Sequence, residues 1–178
     1  MTSSVPSVSD VVAAHLRDVP DFPSPGVVFK DITPLLAEPA AFGTVVTDLV
    51  RRHSGKVDKV AGVEARGFIL GAPLAHALGV GFVPVRKAGK LPSEVVARTY
   101  DLEYGTTTIE VHADAVTPGE RVLLVDDVLA TGGTAWAAWD LLEELGAQVL
   151  ELAVLVELSF LGGRARLGDR SVHALHIV

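Results

Sequence analysis

No cysteine occurs in the 178 residues. Disulfides, thiolate nucleophiles and Cys-type metal centres are therefore excluded together. Aromatic residues are scarce at 6%, so the interior must be aliphatic, as in buried parallel sheets. Positive charge is also in short supply, with 15 Lys and Arg against 22 Asp and Glu and a net charge of −7. That balance excludes a general nucleic-acid or membrane-surface binder, while leaving room for a local basic pocket. The six histidines are scattered without HExxH-like spacing, so no protein-borne zinc site is predicted. The opening MTSSVPSVSD has neither a basic nor an apolar leader segment, which predicts a cytoplasmic protein.

Nearly half of the chain, 49%, is hydrophobic, enough at this length for one domain with a single buried core. Gly67–Val85 has no charge and is long enough to cross a bilayer. It carries four glycines, two prolines and His76, however, and reads better as a buried helix to about Leu78, a glycine turn and a buried strand. Hydrophobic periodicity predicts helices at Val8–Val19, Ala40–His53, Arg66–Leu78 and Thr134–Leu145. Strands are predicted at Lys59–Val63, Val80–Val85, Arg121–Val125, Gln148–Val156 and Val172–Ile177. Alternating strands and helices imply βαβ units, a parallel sheet and ligands beyond the strands' carboxyl ends. Gly62–Arg66 and Asp126–Thr134 both follow strands, so they should share one crevice.

The most informative segment is Arg121–Ala135, RVLLVDDVLATGGTA. An apolar strand is followed by the carboxylates Asp126 and Asp127, then by Ala130, Thr131, Gly132, Gly133 and Thr134 at the start of a helix. Unpaired N–H groups and the helix dipole favour an anion there, and glycine allows it to approach closely. Thr131 or Thr134 could cap the helix. The loop lacks the lysine of a P-loop and the three glycines of a dinucleotide fingerprint. An acidic pair ahead of a phosphate cradle suits a ribose 5-phosphate, with carboxylates accepting from vicinal hydroxyls.

Two further segments carry charge. Glu64-Ala65-Arg66-Gly67 lies between a strand and a helix, and reads either as a second anion loop or as a plain turn with a solvated arginine. Arg86-Lys87-Ala88-Gly89-Lys90 places three of the fifteen basic residues within five positions; it is either a polyanion site or a solvated basic loop. Ser93–Thr107 is polar and of a length common in active-site lids.

The stretch VLLVDDVLATGGTA resembles the phosphoribosyl-pyrophosphate motif of the type I phosphoribosyltransferases. Asp21–Leu35 (DFPSPGVVFKDITPL), Gly62–Gly71 (GVEARGFILG), Val85–Pro92 (VRKAGKLP) and Tyr100–Gly105 (YDLEYG) are similar to the adenine-specific branch of that family. The resemblance implies a central parallel sheet flanked by helices, with a small N-terminal hood at about 20–35 and a flexible lid at about 93–107. It implies transfer of 5-phosphoribosyl from phosphoribosyl pyrophosphate to adenine, giving AMP and pyrophosphate.

Residue by residue, it implies that Asp126 and Asp127 hold the ribose hydroxyls and that Ala130–Thr134 hold the 5′-phosphate. Arg66, Arg86, Lys87 and Lys90 would meet the pyrophosphate, with a non-proline cis peptide at Glu64–Ala65. Phe29 would stack on the base, the backbones of Val28 and Lys30 would read its edge, and Tyr104 would contact it. Glu103 would face N7 as the catalytic base. Mg²⁺ would be held mainly by substrate oxygens, and a homodimer is expected. The same chemistry on hypoxanthine, guanine or xanthine is the nearest alternative. A DNA-binding regulator would need a basic domain for which neither length nor charge leaves room.

Overall fold

Alternating side chains along the central strands send apolar groups to both faces. Val122 and Leu124 pack to one side, whereas Leu123 and Val125 pack to the other, so the sheet needs a helical layer on each face. The computed structural model, which describes residues 6–101 and 105–178, has that arrangement. In chain order the elements are α1 (Val8–Ala14), β1 (Arg17–Pro20), β2 (Val28–Asp31), α2 (Thr33–Ala37), α3 (Pro39–His53), β3 (Lys59–Val63), α4 (Arg66–Leu78) and β4 (Gly81–Lys87). They continue with β5 (Val95–Asp101), β6 (Thr106–His112), β7 (Arg121–Leu129), α5 (Gly133–Glu144), β8 (Gln148–Glu157), a 3₁₀ turn (Ser159–Leu161), α6 (Gly163–Leu167) and β9 (Val172–Ile177).

The main sheet has seven strands in the order β5-β6-β4-β3-β7-β8-β9. Strands β4, β3, β7, β8 and β9 are parallel, while the β5–β6 hairpin adds an antiparallel edge. Helices α3 and α4 cover one face, through Val45, Leu49, Leu70 and Leu74. Helix α5 covers the other, through Ala138, Trp139, Leu141 and Leu142. From β3 the chain crosses to β4 on one side, and from β7 it crosses to β8 on the opposite side. The neighbours β3 and β7 thus form a topological switch point, where a crevice opens beyond the strand ends.

Several predicted elements need correction. The first helix stops at Ala14 rather than Val19, because Arg17–Pro20 pairs antiparallel with Val28–Asp31 as a separate two-stranded sheet. Pro20 disfavours helical backbone at Val19, and cross-strand pairs Arg17–Asp31 at 2.5 Å and Lys30–Asp18 at 2.7 Å join the ribbon. Most of the predicted loop at 93–107 is instead strand: Val95–Asp101 and the start of Thr106–His112 form the edge hairpin. Strand β7 runs on to Leu129, so Asp126 and Asp127 lie within the strand and not after it. By contrast α4, β3 and β9 have the bounds the sequence predicts.

Candidate active site

The switch-point crevice is built from the two loops that leave β3 and β7. Their elements meet closely: a methyl group at Gly67, in the first turn of α4, would lie 2.7 Å from the carbonyl oxygen of Val125 in β7. Only a residue without Cβ permits that approach. Between them Arg66 Nε pairs with Asp127 Oδ2, and the Arg66 guanidinium stands 5.3 Å over the Phe29 ring. Phe29 in turn meets Phe22 edge-on at 5.2 Å. One arginine thus joins the acidic pair, the second loop and the hood. The Glu64–Ala65 peptide is cis, as the resemblance implies.

Asp127 is buried, and its backbone N–H donates to Asp126 Oδ1 at 2.9 Å. Burial first, and the neighbouring Asp127 charge second, push the Asp126 carboxyl well above the usual carboxylate range. Two adjacent carboxylates drawn out of water favour an incoming hydroxyl donor, which relieves both effects.

Beyond the pair, residues 128–135 enclose a small cavity of about 70 Å³. Helix α5 starts at Gly133 with Gly132 (φ +80°) at its N-cap, and no side chain caps it. The expected Thr131 or Thr134 cap is therefore absent, which leaves the first N–H groups of the helix available to an anion. Thr134 is engaged elsewhere: its Oγ1 lies 2.7 Å from the hydroxyl of Tyr100 on β5. Tyr100 is buried, and burial raises its phenol above the ordinary value.

The basic loop is organised by Glu64. Its carboxylate accepts from Lys90 Nζ at 2.8 Å, from the Arg86 guanidinium at 3.3 and 3.4 Å, and from the Lys87 backbone N–H at 3.1 Å. Lys90 foremost, then Arg86 and the Lys87 N–H, hold Glu64 down at about 2 despite its burial. Two cationic side chains, Arg86 and Lys90, and the Lys87 backbone N–H therefore gather on Glu64 at one end of the crevice. Sequence reasoning gave Glu64 no part in this; its signal was a lone carboxylate 22 residues from a basic cluster in an adjacent parallel strand.

In the hood, Val28 and Lys30 line a cavity of about 580 Å³ with Asp18, Leu158, Phe160 and Leu161. Leu158 and Phe160, which follow the predicted strand Gln148–Val156, were not singled out in the sequence. Glu103 and Tyr104 lie outside the described residues. The structure therefore unites Arg66, Asp126, Asp127 and Phe29, gathers the Arg86 and Lys90 side chains and the Lys87 backbone on Glu64, and shapes Ala130–Thr134 into a cradle.

Comparison with known proteins follows the same outline. The profile of the phosphoribosyl transferase domain matches residues 33–173. The adenine phosphoribosyltransferase of Acidothermus cellulolyticus is 62% identical over 169 residues, covering 94% of this chain and 96% of that protein. The crystal structure of the enzyme of that name from Thermoanaerobacter pseudethanolicus superposes with a TM-score of 0.90 at 49% identity, covering 94% of this chain and 98% of that one. The Giardia lamblia enzyme, solved with 9-deazaadenine, gives a TM-score of 0.90 at 41% identity and covers 98% and 99%.

Proposed function

This chain belongs to the phosphoribosyltransferase family, and we infer from that premise that it is an adenine phosphoribosyltransferase, a purine-salvage glycosyltransferase that moves 5-phosphoribosyl from phosphoribosyl pyrophosphate to adenine. The products are AMP and pyrophosphate. One observation carries the reading: the acidic pair Asp126–Asp127 stands next to the uncapped start of α5, with Arg66 reaching it from the other loop. Hydroxyl acceptors, a phosphate cradle and a cation for the leaving group are then in line along one crevice.

In this reading the 5′-phosphate sits on the N–H groups of Ala130–Thr134, and the ribose hydroxyls donate to Asp126 and Asp127. Arg66 exchanges Asp127 for pyrophosphate, which Arg86, Lys87 and Lys90 also meet. The C1′–O bond to pyrophosphate breaks as the bond to N9 forms, with oxocarbenium character at C1′ by analogy with glycosyl transfer. Positive side chains at the leaving group stabilise the charge that develops there. Phe29 stacks on adenine, the backbones of Val28 and Lys30 read its edge, Tyr104 borders it, and Glu103 accepts the N7 proton. Among the described residues no group of three or more His, Cys, Asp or Glu side chains is placed to hold a metal. With Asp126 and Asp127 assigned to the ribose hydroxyls, the donor set fits an ion that arrives on its substrate. Mg²⁺ would bind chiefly to pyrophosphate oxygens and spread their charge.

The hood at about 20–35 and a lid at about 93–107, built largely from the β5–β6 edge hairpin, would close over the bound base. We place the reaction in the cytoplasm and the assembly as a C₂ homodimer, the commonest soluble arrangement. No described helix is long and apolar enough to cross a membrane. Incubation with phosphoribosyl pyrophosphate, Mg²⁺ and each purine base in turn tests the function. AMP should form from adenine far faster than any nucleotide from hypoxanthine, guanine or xanthine. Preference for another base would refute the adenine assignment, and a monomer mass in sedimentation would refute the dimer.

A further inference from the structure

The phosphate loop contains no lysine or arginine, yet the fold brings one to its side. We propose that Arg166 is a further ligand of the ribose 5′-phosphate, supplying the side-chain cation that the loop lacks; this rests on the reading of Ala130–Thr134 as the 5′-phosphate cradle. Helix α6 is pressed directly against that loop. A methyl group at Gly163 would lie 2.2 Å from the carbonyl oxygen of Ala130, and one at Gly132 would lie 2.5 Å from the carbonyl oxygen of Gly163. Two glycines back to back leave no side chain between the segments.

The orientation of α6 is set from its other side. Arg164 donates to Glu157 through Nε at 3.0 Å and Nη2 at 2.5 Å, and through Nη1 to the Val172 carbonyl at 3.1 Å. Leu167 is buried in the core. Residues two apart on a helix point roughly 200° apart, so fixing Arg164 toward β8 and β9 turns Arg166 toward the loop. Its Nη1 lies 3.3 Å from the position a Cβ would occupy at Gly133, the first residue of α5. It is near enough to Tyr100, the partner of Thr134, for its charge to favour the ionised phenol. The chain carries two arginines in GRAR: Arg164 is spent on Glu157, whereas Arg166 has no carboxylate partner among the described residues.

A helix N-terminus offers partial charge, and a guanidinium adds a full one in a fork suited to phosphate oxygens. The basic residues Arg66, Arg86 and Lys90 serve the opposite end of the crevice. Arg166 should therefore matter only for ligands that carry the 5′-phosphate.

The test is isothermal titration of wild type, Arg166→Gln and Arg166→Glu with ribose 5-phosphate, AMP, adenosine and pyrophosphate at pH 7.5. Arg166→Gln should bind ribose 5-phosphate and AMP about tenfold more weakly and Arg166→Glu more weakly still, with adenosine and pyrophosphate unchanged. The loss should shrink as pH falls through the second phosphate ionisation near about 6, because the ligand then carries less charge. Unchanged AMP affinity in both variants would overturn the inference while leaving the function intact. An equal loss for adenosine would also overturn it, marking a distorted loop. A wild-type protein that binds neither phosphate ligand would fail the underlying reading, and the inference with it.

Discussion

Asp126→Asn should make the free protein more stable and the enzyme markedly worse. In the folded chain the Asp126 carboxyl is pushed up by burial and by Asp127, so ionising it costs folding free energy. Below the unfolded value of about 3.9 the group is protonated in both states and the cost is absent. As pH rises the unfolded chain gives up the proton readily and the folded chain does not, so stability is progressively lost. At an effective dielectric of about 20, two like charges separated by about 6 Å repel by about 3 kcal/mol. The Arg66 charge offsets part of it, leaving a net gain of about 1–2 kcal/mol on substitution. Asparagine also keeps an oxygen for the Asp127 N–H now donated to Oδ1 at 2.9 Å.

For a chain of 178 residues, each 1 kcal/mol moves Tm by about 2–4 °C. Differential scanning calorimetry of the ligand-free proteins should show Asp126→Asn melting about 2–8 °C above wild type at pH 8, with the gap narrowing toward pH 4. In steady-state assays the same variant should lose roughly ten- to hundredfold in kcat/KM for phosphoribosyl pyrophosphate, as one charge-assisted hydrogen bond worth about 1.5–3 kcal/mol weakens. A lower Tm, or a gap that narrows as pH rises, would refute the electrostatic account. Full activity would remove Asp126 from ribose binding.

Other consequences are equally direct. Glu103→Gln should cut kcat by roughly 10²-fold with little change in apparent affinity for phosphoribosyl pyrophosphate, and single-turnover rates equal to wild type would take Glu103 out of the proton transfer. Tyr100→Phe keeps the buried ring but loses the hydroxyl 2.7 Å from Thr134. It should raise KM for phosphoribosyl pyrophosphate about three- to tenfold, the worth of one neutral hydrogen bond, while KM for adenine stays constant. Gly163→Ala forces a methyl onto the Ala130 carbonyl at 2.2 Å, so it should cost about 1–3 kcal/mol by denaturant titration and weaken AMP binding. An unperturbed Gly163→Ala protein would show that α6 yields without disturbing the loop.

The parts legible in the sequence are those whose cause is local. Strand β3, helix α4 and strand β9 follow from uninterrupted hydrophobic patterns bounded by glycine or charge, and periodicity reports such patterns faithfully. The β5–β6 hairpin was hidden because its inward positions are chemically mixed. Val96, Arg98 and Tyr100 alternate toward the core side, but Arg98 is there to meet Asp140 at 2.6 Å and Glu144 at 2.5 Å on α5. An arginine in an inward slot reads as a break in the pattern, although its partners make it a support. The end of the first helix was misread for a similar reason. Strand β1 is held to β2 by cross-strand ion pairs, a tertiary fact, and the helical periodicity of Val8–Ala14 was carried on into β1 as far as Val19.

The same division runs through the site itself and explains why its two ends differ in legibility. The proposed 5′-phosphate end draws chiefly on backbone: a strand end, two glycines and the first turn of a helix, contiguous from Asp126 to Thr134. Backbone donors cannot be scattered along a chain, so such a site leaves a continuous motif. The proposed pyrophosphate end is made mainly of side chains, and long side chains converge from wherever the topology delivers them. Arg66 comes from the start of α4, Arg86 from the end of β4, Lys90 from the turn beyond it, and Glu64, which gathers the last two together with the Lys87 N–H, from just past β3. Strands β3 and β4 are parallel neighbours in register, with Val63 beside Val85. Residues just past both strand ends must therefore meet, however far apart they lie in sequence. Arg66 and Asp127 meet by the same geometry across β3 and β7, where Gly62 lies beside Val125. A parallel sheet thus works as the device that brings three dispersed charge clusters into one crevice, and the switch point decides which three.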